Sequence, residues 1–154
     1  MIEMRNSPLV NYTKISPNRN SPRNHKIDTI SIHCVVGQLT VEQIGDIFAK
    51  PSRGASSNYG IGKDGKIGMY VEEKDRSWCT SSPANDHRAI TIEVASDTSE
   101  PYAVTPAAYN SLINLLVDIC KRNGIAKLNY TGDTRGNLTM HKFFAATVCP
   151  RPVS

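Results

Sequence analysis

Three side chains able to bind a soft divalent cation stand far apart in this chain. His33 lies in Asp28-Thr29-Ile30-Ser31-Ile32-His33-Cys34-Val35-Val36, and His141 and Cys149 close the run from His141 to Pro150. Two imidazoles and one thiolate suffice to hold a zinc ion whose fourth position stays open, which is the arrangement of a catalytic zinc rather than a structural one. Spacing alone does not bring the three together. His141 and Cys149 are too far apart for an i, i+4 pair on one helix, and a loop must turn both toward one ion. His25 and His87 fall in polar, turn-rich segments and read as ordinary surface histidines.

The elements that would position these residues follow from periodicity. Residues 28–36 alternate, with Ile30, Ile32, Cys34 and Val36 pointing one way and Ser31, His33 and Val35 the other. This predicts a central strand with its apolar side against helices and His33 on the opposite side. Residues 89–95 repeat the pattern, with Ile90, Ile92 and Val94 opposed to Thr91, Glu93 and Ala95. If both strands share a sheet, Glu93 faces the same side as His33. Thr40 and Gln43 form a capping box for a helix with the apolar stripe Val41, Ile44, Ile47, Phe48, ended by Pro51. Residues 50–56 read as a loop, and 57–62 and 66–71 as a hairpin turned by Asp64-Gly65. The longest helix is predicted over 106–123, capped by Thr105, opened by Pro106 and closed by Gly124. Cys34 and Cys120 then belong to the core, where a thiol packs as a small apolar group. Residues 1–27, rich in Asn, Ser, Pro and basic side chains, read as an extended arm wrapping the domain.

Composition narrows the class. At 154 residues the chain is one domain with room for a core, and no repeat or interdomain linker is visible. The net charge of +4 is mildly basic, but no dense Lys/Arg run marks a nucleic-acid binder. No apolar stretch is long enough to insert into a membrane, and the N-terminus has no apolar core of a secretion signal. The expected fold class is α/β: a mixed central sheet with helices packed on its apolar face and the zinc site on its polar face.

Five ordered pieces resemble the zinc-dependent N-acetylmuramoyl-L-alanine amidases, a family of phage lysozyme-like amidases, autolysins and peptidoglycan recognition proteins. They are Thr29 to His33, Ser56-Ser57-Asn58-Tyr59-Gly60-Ile61-Gly62-Lys63-Asp64-Gly65, Trp78, Ala89 to Val94, and the closing run from His141 to Pro150. They span roughly residues 27–150 in family order. The resemblance implies that His33, His141 and Cys149 ligate Zn2+ and that Glu93 is the carboxylate beside the activated water. It makes residues 1–154 a single amidase catalytic domain and bacterial peptidoglycan its partner.

Two departures from the family pattern stand out. Many lytic members carry lysine two residues before the cysteine ligand, where this chain has Thr147. Family members often use a tyrosine in the strand before the hairpin turn, and gapless alignment puts Ser57 there. Tyr59, two residues on, is the nearest substitute on the same strand face. The expected catalytic set is therefore Glu93, Thr147 and Tyr59, with Asn58, Trp78 and Arg53 as substrate-groove residues.

The resemblance implies hydrolysis of the amide between N-acetylmuramic acid and L-alanine, as in a bacteriolytic endolysin acting on the cell wall. The missing secretion signal suits release through a holin-type membrane hole, and a wall-binding domain would be missing if the chain is a fragment. The alternatives are a non-catalytic peptidoglycan-binding module, a zinc peptidase cutting within the stem peptide, and a structural zinc site completed by Cys79 or His87.

Overall fold

The computed structural model describes residues 6–140. Its framework is a mixed sheet built on two long strands, β3 (Thr29–Val36) and β7 (Ala89–Ser96), which run parallel and pair along their whole length. The other strands are β1 (Tyr12–Thr13), β4 (Tyr59–Ile61), β5 (Ile67–Met69) and β8 (Leu138–Met140), in the spatial order β1-β5-β4-β7-β3-β8. β4 and β5 form the expected antiparallel hairpin, while β4 on β7 and β8 on β3 are parallel pairings. A second, two-stranded sheet joins β2 (Arg19–Asn20) to β6 (Arg76–Ser77). The central strands are rich in β-branched residues, as strands buried on both faces are.

The predicted helices form where their caps place them. In α1 (Val41–Phe48) the Thr40 hydroxyl accepts from the Gln43 N–H while the Gln43 side chain accepts from the Thr40 N–H. In α3 (Pro106–Asn123) Thr105 caps the start and Gly124, at φ 69°, ends the helix in the left-handed region that glycine tolerates. Pro51–Arg53 closes into a single 3-10 turn within the expected loop. A short helix, α2 (Pro83–Arg88), was not predicted: its Ser82-Pro83 opening is a sound start signal, but six residues carry no apolar stripe.

One expectation is corrected. Helix α3 does pack on the apolar face, where Leu115 and Ile119 meet Ile30, Ile90, Ile92 and Tyr59. Helix α1 instead lies on the His33 side, where Ile44 and Phe48 pack with Val35 and Tyr70. The reason is topological. β3-α1-β4 and β7-α3-β8 are both parallel crossovers, but they travel across the sheet in opposite directions. Right-handed crossovers of opposite direction put their helices on opposite faces.

Tyr70 anchors α1 there. Its ring lies against Gly60 and Gly68, where a Cβ would come within 2.6 Å and 2.5 Å of the Tyr70 side chain, and its hydroxyl donates to the Val41 carbonyl. The stretch from residue 6 to 27 crosses the domain surface, adding β1 to the sheet edge and β2 to β6. Within it the buried Arg23 guanidinium donates to the carbonyls of Glu73, Asp75, Asp86, His87 and Ala89.

Candidate active site

The parallel register pairs His33 with Glu93, and Gly60 pairs with Glu93 on the strand beyond. Partners across a sheet share a face, so the imidazole and the carboxylate stand side by side, with His33 Nε2 3.7 Å from Glu93 Oε1. Glu93 is buried, and its Oε2 has no hydrogen-bond partner among the described residues. Burial pushes the carboxyl up to about 8, Cys34 adds to the rise, and the Arg53 guanidinium opposes it. A desolvated carboxylate with a free oxygen is equipped to accept a proton.

An open cleft of about 240 Å³ leads to this pair. Its described lining comprises His33, Glu93, the end of β3, Leu39, the apolar face of α1 through Ile44, Ile47 and Phe48, and Arg53 at the close of the 3-10 turn. The α1 side of this wall escaped the sequence reading, which put that helix on the other face. Cys79, considered from the sequence only as a fourth ligand of a structural zinc, has its thiol 4.0 Å from Glu93 Oε1. The segment around it has neither alternation nor helical period, so no local pattern announces the contact.

The remaining expected residues divide. Arg53 lines the cleft. Trp78 is half-buried, its indole N–H donating to Asn20 Oδ1, and its backbone is tied to Ser56. Asn58 is not a groove residue. It is wholly buried, its amide donates to the carbonyls of Val71, Glu72 and Asp75, and its Oδ1 accepts from Thr91. Tyr59 does not reach the site either. It pairs with Ile92, one position out of register with Glu93, so it projects to the α3 face. There its hydroxyl donates to Glu73 and accepts from the Ser7 N–H. A one-residue offset in a strand reverses the face, and this decides against a catalytic Tyr59.

His141, Thr147 and Cys149 lie outside the described residues. β8 runs parallel to β3 as far as Met140, opposite Ile32, and His141 is the next residue in the sequence. Among the described residues no three His, Cys, Asp or Glu side chains converge as a metal-binding group. The donor types nevertheless fit zinc: His33 presents an imidazole to an open cleft beside a buried carboxylate with an unpartnered oxygen. His87 is elsewhere, its Nδ1 accepting from the Asn24 N–H.

The model of one protein family, described as N-acetylmuramoyl-L-alanine amidase, matches residues 23–152. The chain therefore belongs to the N-acetylmuramoyl-L-alanine amidase family, which supports peptidoglycan amidase activity. Among solved structures it is similar to the endolysin N-acetylmuramoyl-L-alanine amidase LysCS from Clostridium intestinale URNW. That match has 27% identity and a TM-score of 0.67, and covers 96% of this chain and 90% of the other. AmpD, at 19% identity and a TM-score of 0.69 over 92% of this chain and 86% of that one, shares the fold. So does peptidoglycan recognition protein-LE, solved in complex with tracheal cytotoxin, at 17% identity and a TM-score of 0.72, covering 94% and 88%. No curated protein matches the sequence. Among the described residues no helix is long and apolar enough to cross a membrane.

Proposed function

We propose that this protein hydrolyses the amide between the lactyl group of N-acetylmuramic acid and L-alanine of the stem peptide, with zinc held by His33, His141 and Cys149. The observation that carries this reading is the buried Glu93 carboxylate standing 3.7 Å from His33 at the floor of an open cleft. When bound, zinc supplies Lewis acidity, which favours attack by water on the amide at neutral pH.

The chain's own residues do the rest. Glu93 accepts a proton as water adds to the carbonyl carbon, then delivers it to the alanine nitrogen as the C–N bond breaks. The products are a lactyl carboxylate and a peptide with a free amine. Thr147, through its hydroxyl, donates to the oxyanion of the tetrahedral intermediate, a contribution on the order of 3 kcal/mol for one such donor. Arg53 contacts the substrate where it lines the cleft, and Trp78 offers it an indole face. The enzyme acts at the bacterial wall, reached through a holin-type membrane hole.

The test is digestion of purified peptidoglycan with and without a zinc chelator, with mass spectrometry of the released fragments. Chelator-sensitive release of stem peptides with a free L-alanine amine is expected. Cleavage within the stem would make the protein a peptidase, and sedimentation with the wall without release would make it a binding module.

A further inference from the structure

Glu93 has a second neighbour that the hydrolytic reading leaves unused. Its Oε1, the oxygen nearest His33, also receives Cys79 Sγ at 4.0 Å. Sulfur is large and a weak donor, so this separation suits an S–H···O contact. Cys79 is buried, and burial keeps its thiol protonated.

The thiol is held in place by a dedicated support. Residues 78–82 have no helix or strand of their own. They are tied down by Asp86, a wholly buried carboxylate on α2. It accepts from the Cys79 N–H at 3.1 Å, the Thr80 N–H at 3.2 Å and the Thr80 hydroxyl at 2.7 Å, with Arg76 Nη2 3.7 Å away. The end of α2 is held in turn by Arg23 through the Asp86 and His87 carbonyls.

We propose that Cys79 is a positioning residue for Glu93, its thiol donating to Oε1, and that Asp86 sets Cys79 in place. The idea rests on Glu93 being the proton acceptor. With Oε1 engaged by the thiol, the carboxylate cannot rotate freely, and Oε1 stays turned toward His33 while Oε2 remains buried and unpartnered among the described residues. The thiol orients the carboxylate by donating a weak hydrogen bond to it. Asp86 acts at one remove, through the backbone of the segment that carries the thiol.

Two readouts test this on the zinc-loaded protein. In kinetics, Cys79→Ala lowers kcat about tenfold with KM and zinc content unchanged, and Cys79→Ser, which restores a donor, recovers most of the loss. Asp86→Asn lowers kcat in the same manner. In infrared spectra, the S–H stretching band that disappears in Cys79→Ala, or in Cys79→Ser should the alanine variant not fold, shifts to the frequency of a free thiol in Glu93→Ala. Undiminished kcat in Cys79→Ala, zinc loss accompanying its lost activity, or an S–H band that Glu93→Ala leaves unmoved would each overturn the proposal. Wild-type protein that cleaves no wall at all would count against the amidase reading instead, while the infrared band still reports the contact.

Discussion

His33 and Glu93 are direct partners across two parallel strands, and this pairing places an imidazole nitrogen 3.7 Å from a buried carboxylate oxygen. The backbone ladder holds the two residues, so their separation is set by the sheet rather than by mobile loops. Exchange of Glu93 for glutamine keeps the shape and removes the base. Glu93→Gln should bind zinc as the wild type does and lose activity by roughly 100-fold or more, the range typical of a lost general base. Parallel assays of wall hydrolysis and metal content check this.

The same burial has a pH signature in the metal-free protein. The folded Glu93 carboxyl titrates at about 8, above its ordinary 4.5. A raised value favours the folded state fully below the unfolded value, and that contribution is lost as pH rises through the folded one. Chelator-treated wild type should therefore lose stability, on the order of a few kcal/mol, between about pH 5 and about pH 8. Glu93→Gln should lack this slope. Urea unfolding of both proteins across that window measures the difference.

Tyr59→Phe separates stability from chemistry. The Tyr59 hydroxyl sits on the α3 face between Glu73, Arg122 and the Ser7 backbone. Its removal leaves the Ser7 N–H without that acceptor and the Glu73 carboxylate with one fewer donor. A cost of about 1–3 kcal/mol is expected, with kcat and KM unchanged below the melting transition. A large fall in kcat with intact folding would return Tyr59 to the mechanism.

Arg23 should tolerate no substitute. Its planar guanidinium reaches five carbonyls on two segments, at distances from 2.7 Å to 3.4 Å. Lysine keeps the charge but not the fork. Arg23→Lys and Arg23→Ala should both destabilise by roughly 3 kcal/mol or more, as read by denaturant midpoints.

Gly60→Ala probes the wall of the cleft. The added methyl would stand 2.6 Å from the Tyr70 ring, which must move and take its bond to the Val41 carbonyl with it. Overpacking of this kind costs about 1–3 kcal/mol. Because α1 lines the cleft, KM for wall fragments should rise more than kcat falls, as steady-state kinetics would show.

Much of this protein is written locally. The alternation in 28–36 and 89–95 put His33 and Glu93 on one face of a sheet, because side chains in a strand reverse with every residue and two strands in register must agree. The capping residues Thr40, Thr105 and Gly124 marked helix ends, because the unsatisfied N–H and C=O groups there need those residue types. The Asp64-Gly65 turn marked the hairpin for a similar reason. Ordered motifs carried the family, which the match over residues 23–152 shows.

Tertiary structure decided what local pattern does not encode. The face on which α1 lies depends on the direction of its crossover, and hence on which strands are neighbours in space. Tyr59 was misassigned because the parity of β4 is set by its register on β7, and a short buried strand such as Tyr59–Ile61 has no alternation to reveal it. Asn58 reads as a polar groove residue until the surrounding carbonyls are in view, since the need for a buried amide arises only from backbone that other segments bring there. Cys79 meets Glu93 through a carboxylate on α2 and an arginine in the arm, a chain of contacts between segments far apart in sequence. Such contacts are set by packing, and only the folded chain reveals them.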